Sequence, residues 1–308
     1  MRGVDLKHPE FEPAAADEFE ILDLRKWDNC LEATRGGVAQ VYSLAADMGG
    51  IGYITSYLAD IFRNNILINT HMLEASRVNG VRRFLFSSSA CVYPSFLQKS
   101  ADVTPLKEDD AIPADPEPGY GWEKLATEEL CRYYRKDHGL ETRVVRFHNV
   151  YGPLGTYDGG KEKSPAALCR KVALAQNGDE VEIWGDGKQT RSYMYVDDCV
   201  EGLVRLMASE CHEPLNMGTD RLVTIDGLLE IISGLAGKRL HIAHDLKKPQ
   251  GVRGRNSDNT RLREQLGWEP GTPLEDGLRT TYLWIEKELG KAGRLPQRGK
   301  LQEKDAPV

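Results

Sequence analysis

The residues best suited to chemistry lie in three segments that follow one another along the chain. They are the serine-rich run Ser87–Pro94, which contains Ser89 and Cys91, the Tyr-x-x-x-Lys motif Tyr120–Lys124, and the run Arg146–Pro153. On a helix, Tyr120 and Lys124 lie one turn apart on the same face. An ammonium close to a phenol stabilises the phenolate and lowers its pKa, normally about 10, towards neutral pH. Such a tyrosine can remove a hydroxyl proton while a nicotinamide takes the hydride.

Taken singly, none of these segments is specific. A Tyr-x-x-x-Lys match is expected roughly once by chance in a chain of this length, given ordinary Tyr and Lys usage, and the alternative is a pair on a helix surface. The segments follow one another at the ends of strands and near the start of a helix, and this order favours the functional interpretation over a surface pair.

The elements that position these segments alternate along the first half of the chain. Short apolar runs predict strands at 19–22, 38–44, 83–87 and 142–147, and apolar residues at helical spacing predict helices at 57–79 and 121–136. This alternation is typical of a parallel α/β sheet. Beyond Gly152 the elements shorten: a helix at 165–175, a strand at 181–184, and helices at 197–208, 224–236 and 274–289.

We therefore predict an α/β fold, a Rossmann-like doubly wound parallel sheet, with a smaller C-terminal α/β lobe. The predicted boundaries are 1–155 for the first domain and 156–289 for the second, which is partly interleaved with the first. The charged, apolar-poor segment 290–308 is predicted to be a disordered tail.

The first strand candidate, Arg2–Leu6, begins at the second residue. In dinucleotide-binding folds an acidic residue ends the second strand, about 20 residues after the Gly-rich turn, and Asp5 fits that position. The first strand, the Gly-rich turn and the first helix are then expected to be absent from these residues. The alternative is that Asp5 is a surface residue in a frayed terminus. The later run Met48–Gly52 does not replace the turn, because Thr55 stands where its third glycine belongs.

The three chemical segments together resemble the extended short-chain dehydrogenase/reductase superfamily. Its members pair a strand-end Ser or Thr with Tyr-x-x-x-Lys, and their next strand commonly ends in Arg-x-x-Asn-x-Tyr-Gly-Pro. The resemblance implies an NAD cofactor, with Tyr120 as the acid/base of the redox step, Lys124 as its partner and ribose ligand, and Ser89 as a hydroxyl partner at the sugar. It also implies cofactor contacts from Asp5 and Asp23.

Longer collinear segments are similar to the GDP-mannose 3,5-epimerase family. They are Leu44–Gly50, Ser88–Pro94, Gly159–Ala167, Trp184–Ser192 and Gly251–Asn259. In that family NAD oxidises C4 of the hexose, the ketone acidifies the C3 and C5 protons, and a Cys and a Lys that match Cys91 and Lys163 exchange them. In plants this reaction serves ascorbate synthesis. From spacing alone, a buried core thiol and a solvated lysine would be the preferred interpretations of Cys91 and Lys163.

The resemblance also implies a set of substrate contacts. These are Gly49, Ser89, Ala90, Cys91, Asn149, Glu162, Lys163, Ser164, Lys171, Gln189, Thr190, Arg191 and Arg255. Guanidinium and ammonium groups suit a diphosphate. One sequence leaves open whether Arg255 or its neighbour Arg253 takes this role.

Composition narrows the class of protein. A net charge of −7 over 308 residues opposes a general nucleic-acid binder, so an anionic substrate needs a local basic pocket. Six scattered cysteines form no CxxC pair, and His241-x-x-His244 has no third ligand nearby, so we expect neither disulfides nor a metal. No apolar run suits a membrane helix or signal peptide, which predicts a cytoplasmic protein. By analogy with the family, helices 57–79 and 121–136 would form a homodimer interface.

Two alternatives remain open from the sequence. One is a different sugar-nucleotide 4-epimerase or 4,6-dehydratase, which would not require a cysteine at position 91. The other is an inactive binding subunit, for which the absent Gly-rich segment argues.

Overall fold

The structure is a computed structural model that describes residues 1–296. Its strands are β1 Arg2–Asp5, β2 Glu18–Ile21, β3 Gln40–Ser43, β4 Arg83–Ser89, β5 Glu141–Phe147, β6 Val150–Tyr151, β7 Glu180–Trp184, β8 Thr190–Arg191, β9 Met194–Tyr195, β10 Leu215–Met217, β11 Val223–Thr224, β12 His241–Asp245 and β13 Gly254–Arg255. Its α-helices are α1 Trp27–Thr34, α2 Ile51–Ser56, α3 Leu58–Val78, α4 Tyr120–His138, α5 Ser164–Leu174, α6 Val196–Ala208, α7 Ile225–Leu235, α8 Thr260–Leu266 and α9 Leu274–Lys291.

The main sheet is parallel and lies in two parts. Strands β3, β4, β5 and β10 form one part in the order β10-β5-β4-β3, and β1 pairs with β2 in the other. In a dinucleotide-binding sheet the first strand belongs between these two groups. The predicted fold class, an α/β fold with a Rossmann-like parallel sheet and a smaller lobe, is confirmed.

Hydrophobic burial holds the first part together. Strand β4 reads Arg-Phe-Leu-Phe and then three serines, and Phe84, Leu85 and Phe86 are fully buried because helices cover both faces of the sheet. Helices α1, α3 and α4 contribute to the core on one face. Helix α6 and strand β10 contribute to the other, next to Leu85. The polar end of β4 places Ser87, Ser88 and Ser89 at the carboxyl edge of the sheet.

The smaller lobe has its own core between α5, α7 and α9. Strands β7 and β12 pair in parallel, and β8 joins β11 and β13 in a second small sheet. Helix α6 and strand β10, which lie within 156–289, pack on the first sheet. The predicted domain boundaries and their interleaving stay predictions. Helix α9 runs two residues beyond the predicted end at Leu289, and residues 297–308 of the predicted tail lie outside the described residues.

Candidate active site

A cavity of about 790 Å³ opens at the carboxyl ends of β3, β4 and β5, between the sheet and the smaller lobe. This is where ligands bind in open parallel α/β sheets. Of the residues predicted to contact substrate, those that line it are Gly49, Ser89, Ala90, Cys91, Asn149, Glu162, Lys163, Ser164, Lys171, Gln189, Arg191 and Arg255, together with Tyr120. Residues 49 and 255 are more than two hundred positions apart, so the fold itself assembles the set.

Tyr120 is the first residue of α4 and is buried against the end of β4. The start of α4 approaches Cys91 so closely that a Cβ at Gly121 would lie 2.3 Å from the Cys91 carbonyl oxygen. Only glycine permits this approach. The Ser89 Oγ accepts a hydrogen bond from the Cys91 N–H at 3.2 Å. Residues from all three segments singled out from the sequence line the cavity: Ser89 and Cys91, Tyr120, and Asn149.

The electrostatics of Tyr120 differ from the sequence-based expectation. The pKa of Tyr120 lies well above its ordinary value, because burial disfavours the phenolate and because the nearby Cys91 and Glu123 side chains also oppose a negative charge there; the Ser89 hydroxyl only partly offsets these effects. The Lys124 ammonium lies 5.3 Å from the centroid of the Tyr120 ring and 3.6 Å from a Glu123 carboxylate oxygen. The expected lowering of the Tyr120 pKa by Lys124 is therefore wrong, because Glu123 pairs with the Lys124 ammonium.

Glu123 is the functional residue that sequence analysis missed. Its carboxylate is fully buried and accepts hydrogen bonds from the amides of Asn65 at 2.9 Å and Asn69 at 3.0 Å, both on α3. Burial raises the pKa of Glu123 and lowers the pKa of Lys124. The signal available in the sequence was the amides at positions 65 and 69 on an otherwise apolar helical face, since a buried amide needs a partner.

Cys91 and Lys163 face the same cavity. An Arg255 guanidinium nitrogen donates to the Cys91 sulfur at 3.4 Å, which places a positive charge where a thiolate would form. The Lys163 side chain forms no ion pair or hydrogen bond with any residue in the range 1–296. Burial lowers the pKa of Lys163, and the neighbouring thiols of Cys91 and Cys199 partly oppose this. A lowered pKa makes it easier for this ammonium to give up a proton.

The guanidinium groups of Arg255, which is buried, and Arg191, which is partly buried, supply the positive charge that the acidic chain requires. Arg191 donates to backbone oxygens of Thr190 and Gln250, Arg255 donates to the Gln98 side chain, and neither forms an ion pair with a carboxylate in the described part of the chain. The pKa of Arg191 is lowered to about 10 by burial and by the Arg255 charge. Such an unbalanced pair favours an anionic ligand.

The structure places a few predicted residues outside the cavity. Asp5 is exposed at the end of β1, and Asp23 pairs with Arg25 at 2.8 Å; their cofactor roles stay predictions. Lys124 does not line the cavity, because its ammonium lies against the Tyr120 ring. Thr190 does not line it either, and its hydroxyl donates to the Ala101 carbonyl oxygen. Arg253 pairs with Asp186 at 2.7 Å, whereas Arg255 lines the cavity.

A second buried network supports the end of β5 beneath the site. Arg146 pairs with Glu128 at 2.7 Å and donates to the Glu108 carbonyl oxygen at 2.6 Å, and Ser88 hydrogen-bonds Glu128. The Tyr93 hydroxyl donates to Asn216 at 2.5 Å. These contacts join β4, β5 and β10 through side chains as well as through the backbone.

Removing one partner of this network is expected to destabilise the fold strongly. Glu128→Gln leaves the Arg146 charge buried without a counter-charge, which should lower the free energy of unfolding by about 3–5 kcal/mol. The adjacent Glu129→Gln breaks only the exposed pair with Arg132 and should cost at most about 1 kcal/mol. Urea unfolding of both variants measures the difference. Equal losses of unfolding free energy in the two variants would show that the buried Glu128–Arg146 pair contributes no more to stability than the exposed pair.

A group of possible metal ligands lies away from the cavity. Glu141, Glu210 and His212 come together at the sheet edge, but the Arg143 guanidinium lies among them, 3.2 Å from Glu141 and 2.9 Å from the His212 ring nitrogen. An arginine at the centre of the group does not suit a cation site.

In the part of the chain that the structure describes, no helix combines the length and the apolar character needed to cross a bilayer.

The residues present suit the two riboses of a dinucleotide. Tyr120, Lys124 and Ser89 would hold the nicotinamide ribose, and the Asp5 carboxylate at the end of β1 would hold adenosine ribose hydroxyls. These roles stay predictions.

A parallel sheet with a Tyr-x-x-x-Lys pair at its carboxyl edge defines a class of nucleotide-binding oxidoreductases and isomerases. The sequence profile of the NAD dependent epimerase/dehydratase family matches residues 2–218. The chain therefore belongs to the NAD dependent epimerase/dehydratase family, and it is an enzyme that uses NAD.

Individual relatives agree with this family. The chain is 54% identical to GDP-mannose 3,5-epimerase 1 of Oryza sativa subsp. japonica, covering 89% of this chain and 71% of the relative. It is 51% identical to GDP-mannose 3,5-epimerase of Arabidopsis thaliana, covering 89% and 72%. The solved UDP-glucose 4-epimerase of Thermotoga maritima superposes with a TM-score of 0.82 at 26% identity, covering 94% of this chain and 91% of that one. The resemblance stated from sequence is confirmed.

Proposed function

We propose that the enzyme converts GDP-mannose to GDP-L-galactose by transient oxidation at C4 and epimerisation at C3 and C5. The observation that carries this proposal is that Cys91 and Lys163, a candidate base and a candidate acid, line the same cavity as the Tyr120 hydroxyl. The names of the rice and Arabidopsis relatives support this choice of substrate.

The redox step depends on Tyr120. When bound, NAD accepts the hydride from C4 and later returns it, so the overall reaction has no net redox change. Tyr120 takes the proton of the C4 hydroxyl, which Ser89 helps to orient, and gives it back when the ketone is reduced. Burial raises the pKa of Tyr120, so this role requires positive charge near the phenol; the Lys124 ammonium, 5.3 Å from the centroid of the Tyr120 ring, is the nearby cation.

The epimerisation step depends on Cys91 and Lys163. A ketone at C4 acidifies the C–H bonds at C3 and C5. Cys91 removes a proton from one face of the ring as thiolate, and Lys163 returns a proton to the other face. Arg255 hydrogen-bonds the Cys91 sulfur, and burial lowers the pKa of Lys163, so each group is suited to its part.

The substrate diphosphate is assigned to the cationic wall of the cavity. Arg191 and Arg255 lack carboxylate partners within residues 1–296, and Lys171 lies on α5 at the same wall. Gln189 contributes a buried side-chain oxygen with no hydrogen-bond partner in the described structure, which can accept from a substrate N–H or O–H group. The test is incubation with GDP-mannose and excess NAD, with GDP-L-galactose expected by NMR.

We extend the proposal to assembly and compartment. A homodimer through α3 and α4 is supported by exposed apolar side chains on these helices, Leu58 and Phe62 on α3 and Trp122 and Tyr133 on α4. Six cysteines without a disulfide support a reducing cytoplasmic compartment. In a plant, the product would serve ascorbate synthesis.

A further inference from the structure

The segment Gly159–Lys163 packs against the loop that begins at Asp47. The Gly50 N–H donates to the Lys161 carbonyl oxygen at 3.0 Å, and a Cβ at Gly50 would lie 2.5 Å from the Glu162 carbonyl oxygen. The two backbones are therefore in direct contact, and a side chain at position 50 would separate them. Residues of both segments, among them Gly50 and Glu162, line the candidate cavity.

The Lys161 side chain crosses the same contact. Its ammonium lies 4.0 Å from the centroid of the Tyr53 ring and 3.4 Å from an Asp47 carboxylate oxygen. A cation over an aromatic face and beside a carboxylate is doubly stabilised, although the partial exposure of Lys161 weakens each interaction. Lys161 thus joins its own segment to the loop 47–53 through two partners.

Asp47 is itself firmly fixed. Its carboxylate accepts hydrogen bonds from the Tyr53 hydroxyl at 2.8 Å and the Asn64 amide at 3.0 Å, and both its backbone groups are bound by the Asn65 side chain. Burial works against the charged form, but the hydrogen bonds from Asn64 and Tyr53 and the Lys161 charge outweigh it and lower the pKa of Asp47. Asn65 also donates to Glu123, beside Lys124. Asp47, which holds the Lys161 ammonium, therefore belongs to the hydrogen-bond network that supports the Tyr-x-x-x-Lys motif.

Lys163 follows two residues after Lys161 and depends on its backbone for position. Its carbonyl oxygen accepts the Ala167 N–H at 2.9 Å, which ties it to the start of α5. No side-chain partner holds its ammonium within the range 1–296. The groups that face this ammonium are the Cys91 thiol from the end of β4 and the Cys199 thiol from α6. The neighbouring Glu162 carboxylate pairs with Arg170 at 3.1 Å and not with Lys163.

We propose that Lys161 is a positioning residue that fixes Gly159–Lys163 against Asp47 and Tyr53, and so holds the Lys163 ammonium in the cavity beside Cys91. The catalytic part of this proposal rests on the proposed function; the positional part does not. A displacement of about 1 Å at a reacting group can cost roughly 100-fold in rate, so a residue outside the chemistry can have a large effect.

The first test measures Lys163 without substrate or cofactor. The protein is acylated with acetic anhydride at a series of pH values, and modification of Lys163 is followed by peptide mass spectrometry. In the parent, Lys163 should titrate below an ordinary lysine, because it is buried. In Lys161→Met the segment should loosen, and the Lys163 titration should move to higher pH. Lys161→Arg keeps a cation over the Tyr53 ring and should restore the parental curve.

The second test measures turnover with NAD in excess. Lys161→Met should lower kcat for proton exchange by about 10- to 100-fold, with a smaller change in KM, because Lys163 rather than substrate binding is disturbed. The matched control is Arg205→Met, since Arg205 also combines an ion pair, to Glu201 at 2.6 Å, with an aromatic face, the Trp268 ring at 5.7 Å. This control lies on the outer face of α6 and should retain parental kcat.

The outcomes separate the two proposals. A parental Lys163 titration curve in Lys161→Met overturns the positioning role, whatever the activity. A shifted curve in Lys161→Met with restoration in Lys161→Arg supports it. If the parent itself shows no C3 or C5 exchange while the titration shift is present, the proposed function fails and the positional part stands.

Discussion

Tyr120→Phe is expected to stop every step of the reaction. Without the phenolic oxygen the C4 hydroxyl proton has no acceptor, no ketone forms, and the C3 and C5 hydrogens stay unreactive. We expect product formation to fall by about 10²–10⁴-fold, the range for loss of a positioned acid or base. Exchange at C3 and C5 should fall by the same factor, because it depends on the ketone. NMR of GDP-mannose incubated with NAD in excess measures both.

The matched control for this variant is Tyr282→Phe. Tyr282 is also a buried tyrosine, but its hydroxyl donates to Glu286 at 2.9 Å within the core of the smaller lobe, away from the cavity. It should retain parental activity. If Tyr120→Phe kept C3 and C5 exchange at the parental rate, the carbon acid would arise without C4 oxidation, and the role assigned to Tyr120 would be wrong.

Cys91→Ser and Lys163→Met are expected to separate oxidation from epimerisation. Serine is far less acidic than cysteine, so the base is weakened; methionine keeps most of the length of lysine but cannot carry a proton. Each change should lower the exchange that depends on it by at least about 10²-fold, while C4 oxidation continues. Deuterium uptake from heavy water into the sugar ring measures exchange, and the ketone is followed in the same samples.

Two controls accompany these variants. Cys211→Ser changes a buried thiol outside the cavity, and Lys188→Met removes an exposed ammonium, so both should exchange at the parental rate. If Cys91→Ser and Lys163→Met also exchange at the parental rate, these residues are not the acid and base. A 4-epimerase or 4,6-dehydratase would then be the better interpretation of the site.

The secondary structure was predictable because it depends on local pattern. The apolar run before the serines of β4 and the helical spacing through α3 indicated those elements to within a few residues at their ends. Helix α2 was not predicted, since the helix predicted at 57–79 corresponds to α3 alone and the run before it was interpreted as a loop. The passage of β10 back into the first sheet also depends on contacts between distant parts of the chain.

The motifs predicted most of the residues that line the cavity, but they did not predict the pKa shifts of the residues at the site. The raised pKa of Tyr120 and the fixed Lys124 result from burial and from Glu123, whose carboxylate is held by amides more than fifty residues earlier. A sequence shows the types of these residues and not the distances between them. The same holds for Lys161, which resembles a surface lysine until Tyr53 and Asp47 are placed beside it.

The central claim, that this enzyme epimerises a nucleotide sugar at C3 and C5, is tested most directly by one isotope measurement. The protein is incubated with GDP-mannose and excess NAD in heavy water, and the recovered sugar is analysed by NMR and mass spectrometry. We predict GDP-L-galactose that carries deuterium at C3 and C5 and hydrogen at C4, since the hydride returns without exchange with solvent. A sugar inverted only at C4, with no deuterium at C3 or C5, would contradict the assignment.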